Sequence, residues 1–430
     1  MADFMDNMMD DLKKSDKAGV ITTVKELKEN QFGMPLKHYA QQYLFGSTGL
    51  RLKVFHSIAG PPAACKSPLL FDLMGHVCAS SDNGGLNGLG FVYELEDKIS
   101  PTLLSSMMQR HGDIIGKSFR LVQGLTIEGA MGHIATQLIP AYKKNIPKYD
   151  IPIIVGLDSI GGSASSDTIG KITTDGAVGK GFYDKAHYVK YFCENSGHVI
   201  GDIPMVVICI NQEKESAAAT FGARPQKKIT GGVSQIFKGG HMISSSFYTH
   251  ASGTAKLLKL RTTKTSFCDA RMIELTFSWN KFGASEEDAY GHKFEWALAS
   301  ARCIAAPEKG VGEIRDICDV SVSDKELVTC RQLNLKSAPA EEFEAALFAP
   351  ENSKLLDDLR MYQKIEKIKG LDEYAKYIKN KGKEEKPAAA KKAAPAKKKT
   401  VAKKATPKKV EAVKPPSKPL FSIDTGDKDD

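Results

Sequence analysis

No stretch of this 430-residue chain approaches the ~20 consecutive apolar residues that a membrane-crossing helix needs. The opening residues 1–14 are acidic and rich in methionine. They lack the basic start and apolar run of an export signal, so no secretory leader is expected. Eight cysteines are present, but no two form a C-x-x-C pair. Cys209 stands inside the apolar run Val206-Val207-Ile208-Cys209-Ile210, where a reduced, packed thiol is expected. The ten histidines are scattered without the spacing of a zinc site. No internal repeat is visible. Membrane spans, disulfide scaffolds, zinc modules and solenoids are thereby set aside, and a reducing cytoplasm is the expected setting.

Charge is present but unevenly placed. The formal net charge is +9, yet residues 381–418 alone carry +11 and the last twelve residues −3. About +1 is left for residues 1–380. The basic character belongs to a Lys, Ala and Pro tail (Lys397-Lys398-Lys399, Pro407-Lys408-Lys409). That tail has too few apolar residues to offset chain entropy, so it is expected to be disordered. Such lysine runs attract polyphosphate backbones without reading sequence, and a merely solubilising tail is the alternative.

The body reads as strands alternating with helices. Apolar runs of strand length lie at 52–58, 90–95, 151–157, 204–210 and 272–279, with a helix from about Pro68. Runs this continuously apolar suit parallel strands buried on both faces. Polar residues gather just beyond their carboxyl ends, the ligand edge of an open α/β sheet. After Gly291 the pattern is less regular, with helices expected over 340–347 and 355–378. The boundaries that follow are an N-terminal arm (1–40), an α/β core (41–290), a small C-terminal subdomain (291–380) and the tail (381–430).

Between the first strand and its helix lies Gly60-Pro61-Pro62-Ala63-Ala64-Cys65-Lys66-Ser67. It matches G-x-x-x-x-G-K-[ST] at every defined position except the second glycine, where Cys65 stands. Backbone N–H groups of such a loop point at phosphate oxygens. Lys66 would neutralise the terminal phosphates of ATP, and the Ser67 hydroxyl would ligate Mg²⁺. Asp158 ends an apolar strand, as a second Mg²⁺ ligand or as a helix N-cap. Glu96, after Tyr93-Glu94-Leu95, reads as a general base or as a solvated acidic turn. Gln212 ends a third apolar strand, placed to feel the γ-phosphate.

These motifs, followed by Phe221-Gly222 and Thr230-Gly231-Gly232, resemble in order the RecA recombinases, nearest to the bacteriophage UvsX-like branch. The likeness spans roughly residues 51–291. It implies a RecA-type P-loop ATPase core with a central, mostly parallel sheet. It also implies ATP and Mg²⁺ as cofactors, and homo-oligomeric helical filaments on single-stranded DNA that pair it with a homologous duplex. Outside the likeness, the N-terminal arm is a candidate for docking on the next protomer, from its position and the apolar cluster Phe4, Met5, Met8 and Met9. Partner proteins would be a recombination mediator or a single-strand-binding protein, in the host cytoplasm. Lys259-Leu260-Arg261-Thr262-Thr263-Lys264 resembles the family's basic segment that reaches a neighbouring protomer's nucleotide, which gives Arg261 and Lys264 a role in trans. Leu103 stands where bacterial members carry an adenine-stacking aromatic, and Trp279 is a candidate replacement. Single-stranded DNA is expected to meet Phe221, Arg224, Lys227, Lys228, Gly231 and Gly232, in a long loop from Asn211 that offers cations, close backbone approach and a stacking ring. A second glycine-rich loop spans 161–181. Two other readings stay open: a hexameric helicase on the same fold, and a non-hydrolysing DNA-coating protein in which Cys65 marks a decayed loop.

Overall fold

The computed structural model describes residues 30–146, 148–163, 182–216, 226–229, 239–249, 255–265, 269–278, 292–305 and 311–384. Most of the expected N-terminal arm, most of the loop 161–181, the residues Phe221, Arg224, Gly231, Gly232 and Trp279, and nearly all of the tail lie outside the described residues. Among those described, no helix is long and apolar enough to cross a membrane.

The chain begins with strands β1 (Gly33–Pro35) and β2 (Gly49–Arg51), paired antiparallel on either side of helix α1 (Tyr39–Phe45). There follow β3 (Phe55–Gly60), α2 (Lys66–Cys78), β4 (Leu89–Glu94), α3 (Pro101–Gln109) and β5 (Phe119–Val122). Helices α4 (Ile127–His133) and α5 (Ile139–Asn145) are joined by a π-helical turn (Ile134–Leu138) and lead to β6 (Ile153–Asp158), α6 (Phe182–Ile200) and β7 (Met205–Ser216). Next come β8 (Gln226–Ile229), β9 (His241–Thr249), β10 (Ala255–Thr265), β11 (Met272–Ser278) and β12 (Lys293–Phe294). The last part holds α7 (Trp296–Ala305), α8 (Val311–Ile317), a three-stranded sheet of β13 (Val320–Val322), β14 (Val328–Cys330) and β15 (Leu335–Ala338), then α9 (Ala340–Phe348), α10 (Ser353–Tyr362) and α11 (Leu371–Glu384).

One large sheet runs in the order β12-β11-β10-β9-β3-β7-β6-β4-β5, with β8 paired to the far end of β7. From β9 to β5 all neighbours are parallel. The alternation of strand side chains splits the core into two layers. Ile154, Val206, Ile208 and Ile210 face the layer of α2 and α3, whereas Ile153, Val155, Leu157, Val207 and Cys209 face that of α4 and α6. Each such fully buried side chain contributes roughly 1.5–3 kcal/mol. Because both faces are covered, no polar alternation is left in these strands, which is why they read as unbroken apolar runs. A third cluster joins α7, α9 and α10 to β14 and includes the thiols of Cys318 and Cys330, 3.7 Å apart.

Several expectations need correction. The run at 272–279 was expected among parallel strands; as β11 it is antiparallel to β10 and alternates in burial, because only one face is covered. The Lys259 to Lys264 segment lies in the second half of β10. Gln212 does not end its strand: β7 continues to Ser216 and pairs antiparallel with β8, so the region after Asn211 starts as a hairpin. Lys227 and Lys228 lie on β8, in register with Glu215 and Lys214. The helix expected over 355–378 is two helices. Arg271 donates to the carbonyls of Gln363 and Lys364, Lys364 turns left-handed at φ 51°, and the next residues bridge to Ser47 and Phe32 before Gly370.

Inside the sheet, His56 and His241 stack with ring centroids 5.3 Å apart and Nδ1 atoms 3.3 Å apart. Burial pushes His56 down to about 4, and burial with the neighbouring ring pushes His241 down to about 3. Both are neutral when folded but accept protons near pH 6.5 when unfolded. Their contribution is therefore full above about pH 6.5 and is lost as pH falls towards 4. Between pH 7 and pH 5 the loss is about 2 kcal/mol for each ring. In chemical denaturation, His56→Gln should shrink the drop in stability between these pH values; an unchanged drop would show that the pair does not set it.

Candidate nucleotide-binding site

The parallel strands deliver their carboxyl ends to one edge. In register, Gly60 on β3 lies beside Gln212 on β7, and Asp158 on β6 beside Glu94 on β4. A cavity of about 590 Å³ opens there. Pro62 to Ser67 line it on one side, with Glu94, Glu96, Lys98, Asp158, Ser159, Gln212 and Lys256.

Several carbonyls of the loop after β3 are tied down by side chains. Lys66 Nζ donates to the carbonyls of Gly60 (3.1 Å) and Pro61 (2.6 Å). Lys256 Nζ donates to Ala63 O (3.0 Å), and Ser245 Oγ to Ala64 O (2.7 Å). Gly60 is required where it stands, since a Cβ there would collide with the Ser245 carbonyl. Ala63 and Cys65 adopt left-handed backbone, at φ 61° and 52°. That geometry leads into α2, whose first-turn N–H groups have no partner within the helix. An edge of N–H groups at a helix N-terminus is an anion site. Cys65 thus holds the conformation that the loop pattern assigns to glycine, and its thiol is buried, at 8% exposure. Burial, opposed by Lys256 and Lys66, pushes that thiol up to about 11, so it stays protonated and inert. Lys66 is shifted down by burial, opposed by Asp158, Glu96 and Glu213.

Beside the loop stands a carboxylate cluster. Burial, with the charges of Glu94 and Glu96, pushes Asp158 up to about 6, against a hydrogen bond from Ser67 and the charge of Lys66. Its Oδ2 is buried with no hydrogen-bond partner among the described residues. A buried orphan carboxylate oxygen next to a hydroxyl is a hard-oxygen pair that fits Mg²⁺, so Ser67 and Asp158 could hold the ion.

Glu96 lies two residues beyond the end of β4 and is held from several sides. Lys98 Nζ donates to its Oε2 (2.6 Å), and Ser159 Oγ and Gln212 Nε2 (3.3 Å) donate to its Oε1. Burial alone would raise its pKa, but Lys98, Ser159 and the Gly162 N–H outweigh this and hold it below the usual carboxylate range. A Cβ on Gly162 would strike that carboxylate. Ionised, Glu96 is bonded to Gln212 within β7 and is a candidate proton acceptor.

Sequence reading overlooked Glu94, Lys98 and Lys256. Glu94 is a brace: its two oxygens accept from the N–H groups of Lys98 (2.8 Å) and Ile99 (2.9 Å), shaping the turn that carries Glu96. The apolar side chains of Phe71, Ile99, Leu103 and Phe277 also line the cavity, with His292. The rings of Phe277 and His292 stack there at 5.8 Å, where Trp279 had been a candidate. Arg261 does not join the site of its own chain. It is exposed on the face of β10 opposite to Lys256, five residues or roughly 17 Å along the strand. Of Lys264, the structure places the backbone in β10, after a register shift.

Protein-family models give no match to this chain, and no curated protein matches it significantly.

The left-handed backbone at Cys65 makes a test independent of ligand. Valine is close in size and more apolar, but a β-branched residue is disfavoured at positive φ. Cys65→Val should lower stability by about 1–2 kcal/mol relative to Cys65→Ala. Equal stability in urea melts would show that the loop does not need this conformation.

Proposed function

We propose that this chain is an ATP-dependent recombinase of the RecA type, forming helical filaments on single-stranded DNA and pairing it with a homologous duplex. The observation that carries the reading is the path of β7. One unbroken strand bears Gln212, bonded to Glu96 in the cleft, and then the hairpin with β8 on which Lys227 and Lys228 lie. A change at the nucleotide end therefore has a short, stiff route to a basic element suited to a DNA backbone.

On this reading, the loop N–H groups and Lys66 hold the phosphates of ATP, and the apolar lining at Leu103 and Phe277 takes the base. Ser67 and Asp158 hold Mg²⁺, which when bound neutralises charge on the phosphate oxygens. Glu96 takes the proton from the attacking water as its oxygen joins the γ-phosphorus, and the bond to the β-γ bridging oxygen breaks. Gln212 loses or keeps its hold on Glu96 with the state of the phosphate. Arg261 and Lys264, on the far part of β10, serve a neighbouring protomer's nucleotide. Phe221, Arg224, Lys227, Lys228, Gly231 and Gly232 contact single-stranded DNA, and the lysine-rich tail favours capture of duplex DNA by counterion release.

ATP hydrolysis with and without single-stranded DNA tests this directly. Strong stimulation by DNA is expected, with loss of turnover in Lys66→Ala. Glu96→Gln should slow turnover by about 100-fold or more while leaving DNA binding in place. Turnover indifferent to both DNA and Lys66→Ala would overturn the reading. DNA binding without any nucleotide turnover would favour a DNA-coating protein, and closed rings rather than open filaments in electron micrographs a helicase.

A further inference from the structure

Lys256 occupies a position that strand geometry assigns to an apolar residue. Along β10 residues 256, 258, 260 and 262 share one face, and Leu258, Leu260 and Thr262 on it are fully buried. Lys256 stands where this face runs out over the phosphate loop. Its Nζ bonds the Ala63 carbonyl at 3.0 Å and lies 4.8 Å from the centroid of the Phe247 ring. Among the described residues it forms no ion pair. Lys259, on the opposite face of the same strand, does pair with a carboxylate, Glu274, at 3.7 Å.

Two ammonium groups thus border the loop, each resting on carbonyl oxygens. They differ in their surroundings. The charge of Lys66 is drawn on by Asp158, Glu96 and Glu213, whereas Lys256 reaches the loop from β10 and pairs with no carboxylate among the described residues. A carbonyl is a neutral acceptor, whereas a phosphate oxygen adds the attraction of a full negative charge to the hydrogen bond. An arriving phosphate oxygen would therefore outcompete Ala63 for Lys256. The Phe247 ring keeps the ammonium over the cavity mouth by a cation–π contact.

We propose that Lys256 is a second phosphate-binding cation supplied by the same chain, exchanging the Ala63 carbonyl for a phosphate oxygen of the bound nucleoside triphosphate. This rests on reading the cleft as a nucleotide site. It adds a binding residue from β10, outside the phosphate-loop pattern, and ties nucleotide occupancy to the antiparallel edge of the sheet. A cation in contact with phosphate has a signature that a structural brace lacks, because its removal flattens the salt dependence of binding.

The experiment is calorimetric titration of the full chain with Mg·ATP at low and at physiological salt. The variants are Lys256→Gln, Lys256→Arg and Lys66→Ala, each checked for an unchanged circular-dichroism spectrum. Glutamine can still donate to Ala63 O, so it removes the charge and keeps the brace. Lys256→Gln should weaken binding by about 10- to 100-fold and flatten its salt dependence, and Lys256→Arg should restore most of both. Wild-type affinity and salt dependence in Lys256→Gln, with binding lost in Lys66→Ala, would overturn this inference and leave the nucleotide site standing. Weakened binding with an unchanged salt dependence and no rescue by arginine would make Lys256 a brace only, which also overturns it. A wild-type chain that binds no Mg·ATP would remove both the inference and the reading beneath it.

Discussion

Everything at the ligand edge depends on where the carbonyls of one loop point. A backbone segment can offer its N–H groups to an anion only if its C=O groups are satisfied elsewhere, since buried unpaired polar groups cost ~1–3 kcal/mol each. Here four of the loop's carbonyls have a named partner: Lys66 for Gly60 and Pro61, Lys256 for Ala63, Ser245 for Ala64. Only the first comes from the loop itself. The other two belong to β10 and β9, so the antiparallel extension of the sheet is a support for the loop as well as a flank of the core. The left-handed turns at Ala63 and Cys65 are held by this scaffolding, which accounts for non-glycine residues where glycine would be free of strain.

The same edge concentrates charge that the protein alone balances incompletely. Asp158, Glu94 and Glu96 gather at the ends of β6 and β4, and each is treated differently. Glu94 spends both oxygens on loop amides, and Glu96 is neutralised by Lys98. Asp158 keeps a buried oxygen with no partner among the described residues, and its pKa is raised to about 6. Desolvated carboxylates resist ionisation unless a cation compensates. Of the three, Asp158 is the one for which a divalent ion would reverse the shift.

Much of this was legible in the sequence because its signals are local. The phosphate loop, Asp158, Glu96 and Gln212 each lie at the end of an apolar run, and parallel strands in register bring such ends to one edge. The misreadings share a cause as well. Lys256 was overlooked because Ala255-Lys256-Leu257-Leu258-Lys259-Leu260 spaces its lysines by three and so hides which face is inward. Its partner Ala63 and that of Ser245 stand more than 180 residues earlier in the chain. The break after Tyr362 was invisible because Arg271, from β11's approach, caps α10 through Gln363 and Lys364. Glu94 and Glu96 look equivalent in sequence, and only the fold of residues 97–99 over Glu94 separates a brace from a candidate base.

The bonds that an incoming phosphate would compete for are distributed so that displacement of one is felt by others. Gln212 is bonded to Glu96, the next residue Glu213 accepts from Ser244, and Ser244 precedes the Ser245 that holds Ala64. The bond from Ser244 to Glu213 joins β9 to β7, and that from Ser245 to Ala64 joins β9 to the loop that follows β3. β9 in turn pairs with β10, which carries Lys256 towards the loop and Arg261 on the opposite face. Coupling between sites needs a contiguous set of contacts with two alternative arrangements. On the proposed reading, Lys66 and Lys256 would supply the alternatives, since each rests on carbonyls that carry no charge. A loop pinned only by its own residues would bind an anion without moving the sheet; in this one, an exchange of partners at Lys256 would bear on β10 and, through its pairing, on β9.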